Sequence, residues 1–267
     1  MLDEKSRQKI IERLASYWAL KYREGGRGAG SSEPYIKDAR MGIAFLLRDS
    51  FARSGGEQAG YGEIAINALD LCIKDAGSYN NFIVSPTAYD EAWTHFVQIC
   101  KMKFQYIHHK KGFGENERLN KTVVQGIVKL AQASNHFNPF EELCSKLPAD
   151  TVAAFFLLRN IKGIGDKIAA FLLRDIVSMT GLDDEIQRQD QILLQPVDRW
   201  VNGISAYIWN NPDRAPAWFV ASRIISECEK YGYSPIKFNQ GAWKYGTDVI
   251  TNTNSITKVM SSDLQWK

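Results

Sequence analysis

Eight prolines punctuate this chain of 267 residues, and where they fall constrains the fold more than any motif does. Pro34, Pro86, Pro139, Pro148, Pro196, Pro212, Pro216 and Pro235 all stand between stretches in which apolar residues return every three or four positions. Proline has no amide hydrogen and clashes with the preceding turn, so it sits at the start of a helix or between helices. The spacing predicts helices over Glu4–Tyr22, Tyr35–Ser54, Tyr61–Asp75, Thr87–Cys100, Leu119–Ser134, Ala149–Asn160, Asp166–Thr180, Pro196–Trp209, Ala215–Tyr231 and Lys237–Val249. Apolar–polar alternation over four or more residues is scarce, so the expected class is all-α. Arg23–Ser32 is rich in Gly and Ser and reads as a linker, without the Lys or the spacing of a phosphate-binding loop. The polar tail from Thr251 to Lys267 is expected to fray.

Composition removes several classes of function. Hydrophobic residues are 45% and charged residues 24% of the chain, enough apolar material for a packed core and too much for a disordered chain. Apolar runs such as Val152–Leu158 fall far short of the roughly 20 residues needed to cross a bilayer. Met1–Ile10 is charged and lacks an apolar core, so no export signal is expected and the cytoplasm is the expected compartment. Cys72, Cys100, Cys144 and Cys228 form no C-x-x-C pair, and the four histidines show no H-E-x-x-H spacing. The cysteines read as reduced thiols, and neither a metal nor an organic cofactor is expected.

The net charge of +3 says little, but its distribution says more. Lys101–Lys121 holds six Lys or Arg against two Glu, interleaved with Phe104, Tyr106 and Phe113, while Gly181–Asp190 holds four acids against one Arg. The first pattern suits a polyanionic partner, and equally a solvated helix end and loop.

The stretch that carries chemistry is Thr151–Thr180, two apolar helices around Ile161-Lys162-Gly163-Ile164-Gly165. So tight a turn requires glycine for positive φ or close backbone approach. Ile161 and Ile164 are expected to plug the gap between the helices. The amides of Gly163–Gly165 are expected to point outward at the start of the second helix, where the dipole favours an anion. Lys167 follows in the first turn of that helix. The dipole, together with desolvation by apolar neighbours, would lower its pKa and make it an amine nucleophile; a lysine that merely contacts phosphate is the plain alternative. Asp198 lies 31 residues later in Gln195-Pro196-Val197-Asp198-Arg199-Trp200. A helix cap is one reading of it. The other is a carboxylate that stabilises the oxocarbenium-like charge formed when a glycosidic bond breaks.

The ordered set Gly163-x-Gly165-x-Lys167-x-x-Ala170, followed by Pro196-Val197-Asp198, resembles the helix-hairpin-helix/Gly-Pro-Asp superfamily of DNA base-excision glycosylases over roughly Leu143–Gly246. The long Lys-to-Asp interval, the lack of cluster cysteines, and the flanking Ser54–Tyr61 and Asn239–Gly246 segments look most like the archaeal 8-oxoguanine DNA glycosylase branch. The resemblance implies two helical lobes with an active cleft between them. One lobe would be residues 35–180, ending in the hairpin; the other would be 1–34 plus 181–267, carrying the aspartate. It further implies that Lys167 forms a Schiff base at C1′ and that Asp198 assists base loss. Lys162, Gly163, Ile164 and Gly165 would grip DNA, and Gln58, Tyr61, Gln240 and Trp243 would surround the base. The expected partner is duplex DNA with a damaged base, and the expected state is a nucleoid-associated monomer. Asp166 departs from the family pattern and would repel a phosphate at the hairpin unless Lys162 offsets it; otherwise the grip moves to Lys101–Lys121. A glycosylase without lyase activity and a non-catalytic DNA-binding module are the alternatives.

Overall fold

The computed structural model describes residues 2–24, 31–51, 60–104, 116–212 and 215–263. Among these residues every regular element is helical, as the proline spacing requires. The chain divides into two compact units, one of residues 32–172 and one of residues 1–31 with 173–267. The second division therefore falls inside a helix, eight residues before the boundary expected at 181.

The contiguous unit holds α3 (Glu33–Lys37), α4 (Ala39–Asp49), α5 (Tyr61–Ala76), α6 (Tyr79–Ile83), α7 (Ala88–Phe104), α8 (Glu117–Ala133), α9 (Pro139–Lys146), α10 (Thr151–Arg159) and the first half of α11 (Asp166–Thr180). Short polar residues set the helix starts. Asp38 accepts from the amides of Arg40 and Met41, Asn138 from Phe140 and Glu141, and Asp150 from Ala153. Pro34 and Pro139 lie in first turns, where no amide hydrogen is missed. The core is built on Phe45, Leu46, Phe82, Phe96, Ile127, Phe140 and Leu158.

The discontinuous unit holds α1 (Glu4–Arg13), a π-helical turn at Leu14–Trp18, α2 (Ala19–Glu24), the second half of α11, α12 (Arg199–Trp209), α13 (Ala217–Lys230), α14 (Pro235–Tyr245) and α15 (Ile256–Ser262). Its core joins Ile11, Leu14 and Trp18 to Trp200, Ile204, Ile224, Phe238 and Tyr245. A Cβ at Gly241 would stand 1.9 Å from the Leu14 carbonyl oxygen, so α14 lies backbone to backbone on the π turn. As far as Asp263 the tail is packed rather than frayed: Ile256 and Met260 of α15 are buried, and Tyr245 donates to Asp263 at 2.6 Å. No helix among the described residues is long and apolar enough to cross a membrane.

Candidate functional site

In the contiguous unit, α10, the turn at 160–165 and the start of α11 are built against α8. The Ile164 amide closes the turn on the Ile161 carbonyl at 2.9 Å. Ile161 and Ile164 are buried, and Ile161 fills the space left by the missing side chain of Gly126 in α8. Gly163 has φ +103°, and a Cβ there would come within 2.7 Å of Val123 Cγ2 and 3.2 Å of the Leu119 carbonyl oxygen. Both demands, conformation and space, select glycine. Gly165 differs: its φ lies outside the left-handed region, and a Cβ would meet nothing within 4 Å. Its carbonyl accepts from Ile168 and Ala169, which makes it the residue that opens α11, and the amides of Asp166 and Lys167 ahead of them have no acceptor within the helix.

Lys162, Gly165, Asp166 and Lys167 are exposed on this rim. The apolar neighbours expected to desolvate Lys167 are turned inward instead, because Ile168, Ala169 and Ala170 behind it are the buried face of α11. Asp166 is the first residue of the helix rather than its cap, and it pairs with Arg159 of α10. The cation that meets this carboxylate is therefore Arg159, where Lys162 was expected. Of the basic stretch, Lys101 and Lys103 lie in the last turn of α7 and Lys121 pairs with Glu117 at 3.4 Å; residues 105–115 lie outside the described residues.

In the discontinuous unit, Asp198 caps α12. Its Oδ1 accepts from the amides of Trp200 and Val201, both at 2.9 Å, and the residue is half-buried. Pro196 precedes this cap by two residues, so α12 begins at Arg199 and not at Pro196 as the periodicity predicts.

Beside the cap lies a buried polar network that motif reading does not reveal. Arg174 and Asp175, adjacent on α11, are 0% and 1% exposed. The Arg174 guanidinium donates to Asp175 Oδ1 from Nε at 2.9 Å, to Asn239 Oδ1 at 2.8 Å and to the Tyr22 hydroxyl at 2.6 Å. Tyr22 in turn donates to Asp175 Oδ2 at 2.5 Å, and Gln240 to Asp175 Oδ1 at 3.1 Å. Asn239 donates to Gln195 Oε1 at 3.1 Å and to the Pro196 carbonyl at 3.3 Å. The guanidinium is held protonated beyond an ordinary arginine: burial pulls against the charge, but Asp175, Tyr22 and Asp198 together outweigh it. Asp198 thus lies, with Asp175, in the field of a single buried cation.

The four base-pocket candidates separate. Tyr61 is 4% exposed, its ring among Phe51, Phe96 and Phe104 in the core of the contiguous unit, so it is a packing residue. Gln240 is fully buried, its amide used by Asp175 and Ser178. Trp243 is half-buried, edge-on to Tyr22 with ring centres 5.7 Å apart. Gln58 lies outside the described residues. Three of the four thiols are poorly suited to act as nucleophiles: burial pushes Cys72 and Cys144 up to about 12 and Cys228 well above the ordinary thiol range. Among the described residues no three His, Cys, Asp or Glu side chains gather as metal ligands.

Comparison of the chain with protein-family models, with curated proteins and with solved structures finds no match.

Proposed function

We propose that this protein is a DNA base-excision glycosylase with an associated lyase activity, acting on an oxidised purine such as 8-oxoguanine in duplex DNA. The observation that carries the reading is the contrast between the two turn glycines. Gly163 is required by the fold, whereas Gly165 is required by nothing among the described residues and keeps the backbone bare at the amide end of α11, directly before the exposed pair Asp166–Lys167. A helix-hairpin-helix that receives a DNA phosphate on its amides needs such a bare rim.

The chemistry follows from the groups available. The target nucleotide leaves the stack, at a cost of a few kcal/mol that is smallest for damaged or mispaired bases. The Lys167 amine, once it has given up a proton, bonds to C1′ as the glycosidic bond breaks, and the bonding pair leaves with the base, which takes up a proton. The Asp198 carboxylate, from the other lobe, stabilises the cationic sugar in between. The attached nitrogen then carries two protons; one passes to the ring oxygen, whose bond to C1′ breaks with its electron pair to leave a protonated imine, and removal of a 2′ proton from that imine expels the 3′ phosphate. Every step uses side chains alone.

Exposure of Lys167 favours a second reading, in which the amine only touches phosphate and Asp198 activates water. Duplexes each carrying one modified base, incubated with borohydride and resolved on a denaturing gel, separate the readings. A covalent adduct that Lys167→Gln abolishes is the expected result. Base release without an adduct indicates the glycosylase lacking lyase activity. Binding with neither overturns the enzymatic reading in favour of a DNA-binding module.

A further inference from the structure

The hydrogen bonds around Arg174 form a chain with only one self-consistent direction. A guanidinium has donors and no acceptor, so Asn239 must turn Oδ1 toward Arg174. Its amide group then faces away, and it donates to the Pro196 carbonyl and to Gln195 Oε1. Gln195 must therefore present its oxygen, which leaves its Nε2 buried without a partner among the described residues. Asp175, an acceptor only, fixes Gln240 and the Tyr22 hydroxyl in the same way, and Tyr22 returns its oxygen to Arg174. The two adjacent charges thus set the orientation of four side chains, Asn239, Gln195, Gln240 and Tyr22. The far end of the chain is the backbone of Pro196, two residues before Asp198.

Burial makes this arrangement expensive to hold for stability alone. Arg174, Asp175, Tyr22, Asn239 and Gln240 are at most 1% exposed, and apolar residues of the same volume commonly serve a core as well or better than a buried ion pair. What the network supplies that apolar packing does not is a fixed place for the segment 195–198.

We propose that Arg174 and Asn239 are positioning residues for Asp198: the buried guanidinium orients Asn239, Asn239 holds the Pro196 carbonyl, and the carboxylate is thereby fixed at the mouth of α12. Tyr22 and Asp175 hold the guanidinium in turn. This rests on the glycosylase reading, in which Asp198 acts on base departure.

The test uses the full chain with Asn239→Ala and Tyr22→Phe, the second keeping the ring and its packing. Two substrates are compared: a duplex with 8-oxoguanine, which needs base departure, and a duplex with one preformed abasic site, which does not. A misplacement of about 1 Å at the reacting groups costs roughly 100-fold in rate. Single-turnover excision is expected to fall by about that factor in Asn239→Ala and less in Tyr22→Phe. Borohydride trapping on the abasic duplex and DNA affinity are expected to stay within a few-fold. Equal losses on both substrates, or a lower melting temperature with unchanged excision, would show a merely structural network and overturn the proposal. If Asn239→Ala fails to fold, Tyr22→Phe decides on the same readouts. Wild-type protein that neither releases base nor traps on either duplex overturns the glycosylase reading itself, and this proposal with it, before any variant is needed.

Discussion

At Asp198 the observed helix cap and the proposed catalytic role are separable by substitution. As the cap of α12 it satisfies two amides through Oδ1, and asparagine caps a helix about as well as aspartate. Asp198→Asn is expected to keep the melting temperature near that of the wild type while base release disappears; Asp198→Ala is expected to lose about 1 kcal/mol of stability as well. Thermal unfolding and single-turnover excision, measured on both variants, check this; excision retained by Asp198→Asn would reduce the residue to a cap. The two turn glycines form a second such pair. Gly163→Ala must place a side chain at φ +103° and 2.7 Å from Val123, at an expected cost of about 1–3 kcal/mol. Gly165→Ser meets open space and supplies a good cap, so stability is expected to hold while DNA affinity drops, because the new side chain stands where a phosphate would approach the amides. Denaturant unfolding and titration with duplex DNA check the two outcomes.

Helix packing shows where sequence reading succeeds and where it stops. Long amphipathic segments such as Glu117–Ala133 were legible because their apolar stripe is continuous. The five-residue α6 and eight-residue α9 were not, since one or two turns show too few repeats to distinguish a helix from a loop. The glycine turn was legible, and so was the choice of Asp198 as a cap, because both are local in sequence. The partners of Arg174 were not: Tyr22 lies 152 residues away and Asn239 lies 65 away, and no spacing rule links them. One trace existed. Leu-Leu-Arg-Asp occurs at 46–49 and again at 172–175, and in both copies the arginine holds its buried neighbour, Arg48 to Asp49 at 3.0 Å and Arg174 to Asp175 at 2.9 Å. An Asp on the apolar face of a helix is the signal that similar amphipathic packing alone does not explain. Tyr61 misleads for the opposite reason, since an aromatic after a glycine reads as a pocket wall but serves the core. At this scale the sharpest test is Gly241→Ala. Its methyl would collide with the Leu14 carbonyl and force α14 away from the π turn, at an expected cost of about 3 kcal/mol, read as a lower melting temperature with helical content retained.

The order of the two units along the chain carries its own consequence. The unit of residues 32–172 is continuous and has a complete core, whereas the other is assembled from both ends of the chain. Without residues 1–31 the C-terminal segment loses Ile10, Ile11, Leu14, Ala15 and Trp18 from its core and Tyr22 from the partners of a buried arginine. Leaving that charge with an open hydrogen-bonding site costs several kcal/mol in addition to the lost apolar burial, comparable to the whole stability of a domain this size. A fragment of residues 32–180, which keeps α11 intact, is therefore expected to be helical and to unfold cooperatively. A fragment of residues 173–267 is expected to stay unfolded until a peptide of residues 1–24 is added. Circular dichroism of the three preparations reads this directly. The first fragment carries the glycine turn and Lys167 but not Asp198, so it is expected to bind duplex DNA in a salt-sensitive way and to release no base. Base release by that fragment would show that the aspartate is dispensable, and a folded 173–267 fragment would show that the N-terminal helices only decorate a core that forms without them.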